Sequence, residues 1–284
     1  MNPVKPFPVP VVSLLGPGSH DDDAPDYLAM PQGMNTYQPP PLPEPEELAA
    51  RGGCVAVLQE ALAALRRPGA MQSTRVIELG HLDAADRRLL NQVLGEGEVS
   101  AQVLGASGLR VQESVFAGVW RVLHVEGGQT VRDTMEIGSL PQGLVDASLL
   151  DARGTPFEPA GDDVTNAPSL LAELSDRVRG WQPERPPHVI NLTLLPLSAG
   201  DSAHLDAQLG AGRVLILSRG YGNCRIVNTR LAHTWRVTYF NSTDIIILDT
   251  LEVCRVPEVG CAAAEDLEDS AERLAEVLDW VRAA

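Results

Sequence analysis

The chain has 284 residues, 44% of them hydrophobic, and its 38 acidic against 22 basic residues give a net charge of −16. That is apolar sequence enough for one large core or two modest ones, and the charge excludes a surface suited to phosphate backbones or anionic head groups, so no nucleic-acid partner is expected. No window approaches the roughly 20 apolar residues of a membrane helix, and the proline-broken start MNPVKPFPVPVVSLLGPG does not read as a signal peptide, so no membrane insertion is expected.

Residues 1–47 hold 12 of the 22 prolines and the acidic run HDDDAPD. Proline fixes φ and removes a donor, which predicts an extended arm without regular helix or central strand. Its apolar residues, among them Tyr27, Met30, Pro31, Met34 and Tyr37, are out of character for a solvated linker and mark a segment able to dock, on its own domain or on a partner.

From residue 48 the pattern becomes regular. Leu58, Leu62 and Leu65 predict a helix over about 47–66, its start delayed by Gly52-Gly53. TRVIEL follows as a short strand, then a helix capped by Asp83 and stopped by Gly95. EVSAQVLG, LRVQESVF, VWRVLHVE and QTVRDTMEI come next as β-prone runs with glycine punctuation, an antiparallel meander.

The order then recurs. SLLAELSDRVRGW predicts an amphipathic helix through Leu170, Leu174, Val178 and Trp181, HVINLTLL a strand, and LSAGDSAHLDAQLG a helix opened by Ser198 and Asp201. RVLILSRG, CRIVNTR, TWRVTYFN and DIIILDTLEV complete a second meander. Aligned with a one-residue gap, Leu82 to Pro141 and Leu197 to Pro257 share 18 identities in 60 positions, including Asp86, Trp120, Arg121 and Asp133. A period near 115 residues is that of duplicated domains, not a solenoid. The expected fold is therefore α+β, two tandem copies of a helix-strand-helix-antiparallel meander unit behind a Pro-rich N-terminal arm. Its divisions are residues 1–47, 48–150 and 151–284, with the amphipathic C-terminal helix (Leu267, Ala271, Leu274, Leu278, Val281) packed on the second copy. VLIL and DIIIL are continuous apolar runs whereas EVSAQV alternates, so the second copy is expected to hold more core and the first to leave more surface for a partner.

No catalytic constellation emerges. The six histidines lack metal-ligand spacing, His20 with Asp21–Asp23 reads as a solvated acidic loop, GASG at 105–108 reads as a hairpin turn, and GPG at 16–18 lacks the strand and third glycine of a dinucleotide loop. Cys54, Cys224, Cys254 and Cys261 are too scattered for a disulfide framework and fit a reducing cytoplasm as buried thiols. Asp133 and Asp249, beside Thr134 and Thr250, are assigned to strand-end turn geometry. Trp120-Arg121 and Trp235-Arg236 put tryptophan and arginine on opposite faces of a strand, serving the core, the boundary between copies or a partner, with Tyr239 nearby.

DYLAMPQGMNTYQPP, YGNCRIVNTR, TWRVTYFNSTDIIILDTLEV and VPEVGCAAAEDLEDSAERLAEVL together resemble the HupH/HyaF family of hydrogenase-expression proteins, across nearly the whole chain. The resemblance implies a cytoplasmic, non-enzymatic accessory protein without a cofactor. Its implied task is to hold the small, iron-sulfur subunit precursor of an uptake [NiFe] hydrogenase before twin-arginine export, alongside a HupG/HyaE-like thioredoxin-fold protein. The family supplies no catalytic residues, and its pattern has two aromatic residues where this chain has Trp235-Arg236. The competing expectations are an iron-sulfur or thiol redox protein built on Cys224, Cys254 and Cys261, and an architectural bridge between maturation factors.

Overall fold

A computed structural model describes residues 43–154, 157–220 and 222–283. The arm residues Tyr27, Met30, Pro31, Met34 and Tyr37 lie outside this range. The end of the expected arm is helical after all: α1 (Pro45–Ala49) begins with proline in its first turn, where a missing N–H costs nothing.

The fold is α+β with antiparallel strands, and the chain divides into two compact units. The first-half unit opens with α2 (Gly52–Leu65), which buries Cys54, Val57, Leu58, Ala61, Ala64 and Leu65 at helical spacing. The edge strand β1 (Arg75–Glu78) and helix α3 (Ala84–Leu94) follow. Asp83 caps α3 by accepting from Ala85 N and Asp86 N, both at 2.8 Å, and Gly95 ends it at φ 54°. The meander is β2 (Val99–Val103), β3 (Ser107–Glu113), β4 (Val119–Glu126) and β5 (Gln129–Ile137), in the spatial order β1-β5-β4-β3-β2. Helix α4 (Gln142–Leu149), absent from the expected elements, leads onward.

The second-half unit is built from α5 (Ala167–Arg179), β6 (His188–Asn191), α6 (Ala199–Leu209), β7 (Ala211–Ser218), β8 (Asn223–Thr229), β9 (Thr234–Phe240) and β10 (Ile246–Val253). Its strands lie in the order β7-β8-β9-β10-β6. The registers agree with those of the first unit: Trp120 faces Glu136 and Arg121 faces Met135, while Trp235 faces Glu252 and Arg236 faces Leu251. Two aligned glycines are also explained, because a Cβ on Gly97 would stand 2.2 Å from Ser114 O and one on Gly212 2.1 Å from Asn228 Nδ2.

Asp201 holds this unit's helices together. Its Oδ1 accepts from the backbone N–H groups of Thr165, Asn166 and Ala167 at the start of α5, and its Oδ2 from Ser198 N and Oγ at the start of α6. The backbone donors, Ala167 N first, hold this carboxyl well below the usual carboxylate range against the opposing effect of burial.

Two expectations are overturned. The C-terminal helix α7 (Ala264–Arg282) buries the predicted Leu267, Ala271, Leu274, Leu278 and Val281, but it packs on α1 and α2 in the first-half unit. Periodicity fixes which face of a helix is buried and says nothing of what covers it. The DIIIL run is not buried on both faces either, for Ile245, Ile246 and Ile247 are 62%, 41% and 56% exposed. Of the ten large apolar residues exposed among the described residues, seven fall in the second-half unit, Leu149 and Leu150 beside five on β6, β10 and the segments adjoining them (Val189, Leu194 and Ile245 to Ile247), so more exposed apolar residues belong to the second unit than to the first.

Candidate interaction surface

The two Trp-Arg pairs anchor their units and differ in access. Trp120 is fully buried with its indole N–H donating to Gly138 O at 2.8 Å, and Trp235, 1% exposed, donates to Arg255 O at 3.2 Å. On the opposite face of β4, Arg121 makes a two-point bond to Asp133, Nε to Oδ1 at 2.6 Å and Nη2 to Oδ2 at 2.5 Å, and reaches Asn91 of α3 at 2.6 Å. Asp133 and Asp249 therefore sit mid-strand as ion-pair partners, correcting their assignment to strand-end turns. Trp120, Trp235 and Arg121 are enclosed and lend a partner no surface.

Arg236 is the open counterpart. It bonds Asp249 through Nε at 3.0 Å and Nη2 at 2.7 Å, and Asp206 of α6 through Nη1 at 2.5 Å. Burial opposes its charge, yet Asp249 and then Asp206 hold the guanidinium above its ordinary range. Its side chain is 31% exposed, against 6% for Arg121. Tyr239 is half-buried opposite Cys224, and burial first, then the neighbouring Cys224 and Glu252, push its phenol up to about 12.

Arg236 lines a cleft of about 240 Å³. Its apolar walls include Leu192, Leu195, Leu197 and Leu205, its polar lining Thr193 and Ser202, and its charged groups among the described residues are Arg236, Asp206 and Asp249. The exposed apolar margin adjoins it through the 3-10 turn Leu192–Leu194, where Thr193 Oγ1 accepts from Asp249 N at 2.8 Å and Leu194 is 79% exposed. Sequence reading missed Asp206, whose signal was its alignment with Asn91, and misjudged Ile245 to Ile247, for which Asn241, Ser242, Thr243 and Asp244 just before them were the available turn signal.

The chemistry available elsewhere is limited. Among the described residues no group of three or more His, Cys, Asp or Glu side chains could hold a metal ion, and no disulfide is formed. Burial pushes the thiols of Cys54 and Cys224 up to about 12, away from nucleophilic or ligating thiolate. No helix of the described residues is long and apolar enough to cross a membrane.

Comparison with known proteins gives consistent matches. A sequence profile described as "HupH hydrogenase expression protein, C-terminal conserved region" falls on two stretches of the chain, residues 53–151 and 164–281. Hydrogenase expression/formation protein HoxQ of Cupriavidus necator is 52% identical, over 97% of this chain and 98% of its own length. Hydrogenase expression/formation protein HupH of Rhodobacter capsulatus is 44% identical over 97% and 98%, and hydrogenase-1 operon protein HyaF of Escherichia coli is 35% identical over 95% and 96%.

Proposed function

Because the chain belongs to the HupH family of hydrogenase expression proteins, we propose that it acts in the cytoplasm as a non-enzymatic chaperone for the small, iron-sulfur subunit precursor of a membrane-bound uptake [NiFe] hydrogenase. It holds this precursor before twin-arginine export, with a HupG/HyaE-like thioredoxin-fold protein as its co-worker. The observation that carries this reading is the exposed apolar margin of Val189, Leu194 and Ile245 to Ile247, a surface that a soluble chain keeps uncovered at a cost unless a partner uses it. The arm residues Tyr27, Met30, Pro31, Met34 and Tyr37 are its second contact.

The scaffold is read as a duplicated unit. Support comes from the 18 aligned identities, the two stretches matched by one profile and the shared strand registers. Duplication frees the second copy to diverge at its surface while both retain the Trp-Arg interior. The redox alternative is weakened at one of its three cysteines, Cys224, whose thiol burial holds protonated.

The test is affinity purification of the full chain from cells making the hydrogenase. Co-elution of the small-subunit precursor is expected, with yield falling at least several-fold for Ile246→Asp combined with Ile247→Asp. Recovery of the large subunit instead, or equal recovery by the double variant, would refute the reading.

A further inference from the structure

Arg87 in α3 and Ser202 in α6 occupy aligned positions 115 residues apart. In the first-half unit Arg87 spans from helix to sheet: its Nη2 donates to Leu79 O and Leu82 O at 3.4 and 3.2 Å, and its Nε lies 3.6 Å from Asp133 Oδ2. A guanidinium thus sits over the Arg121–Asp133 pair. In the second-half unit the matching pair is Arg236–Asp249, Leu197 matches Leu82, and Ser202 is too short to reach across. The cleft is what Arg87 would fill. Asn91 is also replaced there by Asp206, whose Oδ1 serves Arg236 while its Oδ2 makes no hydrogen bond to Arg236 or any other side chain among the described residues.

We propose that this cleft receives one arginine side chain from a partner polypeptide, taking beside Asp249 and Asp206 the place that Arg87 takes in the other unit. The partner's apolar residues on either side of that arginine lie against the leucine walls and the exposed margin. Three observations select this occupant. The charged lining, two aspartates and one arginine, sums to −1 in a chain of −16. The volume of about 240 Å³ suits a side chain and falls below the roughly 300–1,000 Å³ of small-molecule sites. The chain's own arm cannot supply an arginine, since residues 1–50 contain none, and its one lysine is Lys5. Arginine is preferred to lysine because its planar fork can bond a carboxylate and a carbonyl at once.

The inference rests on the reading that the chain grasps a polypeptide, and its test separates the two. A labelled peptide acetyl-Ser-Leu-Arg-Leu-Ser-amide and its citrulline isostere are titrated into the full-length protein by fluorescence anisotropy. Binding of the arginine peptide at least tenfold tighter than the citrulline one, weakening with salt, is expected. Ser202→Arg fills the cleft in cis and should abolish binding with an unchanged thermal midpoint or a raised one; Asp206→Asn should weaken it about tenfold. Equal affinity for the two peptides, no binding of either, or unaltered binding by both variants overturns the inference. So does tighter binding after removal of residues 1–42, which makes the arm the occupant, or self-association that Ser202→Arg abolishes, which makes it a second copy. Precursor capture is measured on the same proteins. Capture by the wild type and equally by both variants overturns the cleft inference alone, while arginine-peptide binding without precursor capture overturns the chaperone reading alone.

Discussion

Replacing Arg121 by methionine tests the claim that one Trp-Arg unit is sealed and the other open. The substitution removes three hydrogen bonds and leaves Asp133, 14% exposed, without its closest cation. Breaking a buried pair from one side costs about 3–5 kcal/mol. Arg87, 3.6 Å from the same carboxylate, remains to compensate, so the loss should lie near the lower bound, about 3 kcal/mol. Arg236→Met should cost less, because Arg236 and Asp206 are 31% and 39% exposed and water in the cleft can solvate what is left, although Asp249 is as enclosed as Asp133. Urea unfolding read by peptide-resolved hydrogen exchange follows the two units separately. A further Asp133→Leu in the Arg121→Met background should recover much of the stability, since an apolar pair of similar volume avoids the desolvation penalty. Equal losses at the two arginines, or no recovery on removing Asp133, would show that access to solvent does not distinguish the sites.

Other expectations concern the interior. Leu274→Ala, at a fully buried position of α7, should cost about 2–5 kcal/mol and loosen exchange in α1 and α2 first; protection lost only in the second-half unit would contradict the packing of α7. Burial raises the Glu113 carboxyl to about 7, so its neutral form is favoured in the fold, and its contribution is fully present below about 4.5 and lost as pH rises through about 7. Glu113→Gln should therefore flatten the stability profile over that window, measured by urea midpoints from pH 4 to 8. Asp201 runs the other way. Its depressed value means stability present above the ordinary carboxylate range and lost as pH falls below it, so Asp201→Asn should lower the midpoint at pH 7 and reduce the acid-side decline. Cys54 and Cys224 should resist a disulfide-exchange reagent at pH 7.5 until the chain is unfolded, and rapid native labelling of either would reopen the thiol alternative.

Most helices and strands were legible because the residues that specify them act locally: Asp83 and Ser198 satisfy backbone donors two or three residues on, and Gly95 supplies the backbone conformation that ends a helix. What failed was non-local. The apolar run at Ile245 to Ile247 carries the composition of a buried strand, yet its burial depends on which neighbour pairs with it, and β6 meets β10 only from Thr250 onward. The docking of α7 depends on a partner face more than 200 residues earlier in the chain. At the candidate site, Arg236 was legible as half of a repeated dipeptide. Its openness was not, because it is set by Ser202 and Asp206 on a different element, and only their comparison with Arg87 and Asn91 in three dimensions reveals it.

The return of α7 to the first-half unit also fixes an order of events at the ribosome. Residues 145–257 are all synthesised before α7, whereas the unit begun earliest lacks its covering helix until Ala264–Arg282 has been made. At about 5–20 residues per second, Leu58, Leu65 and their neighbours on α2 wait about 10–40 s uncovered, a period in which a nascent chain is open to capture or proteolysis.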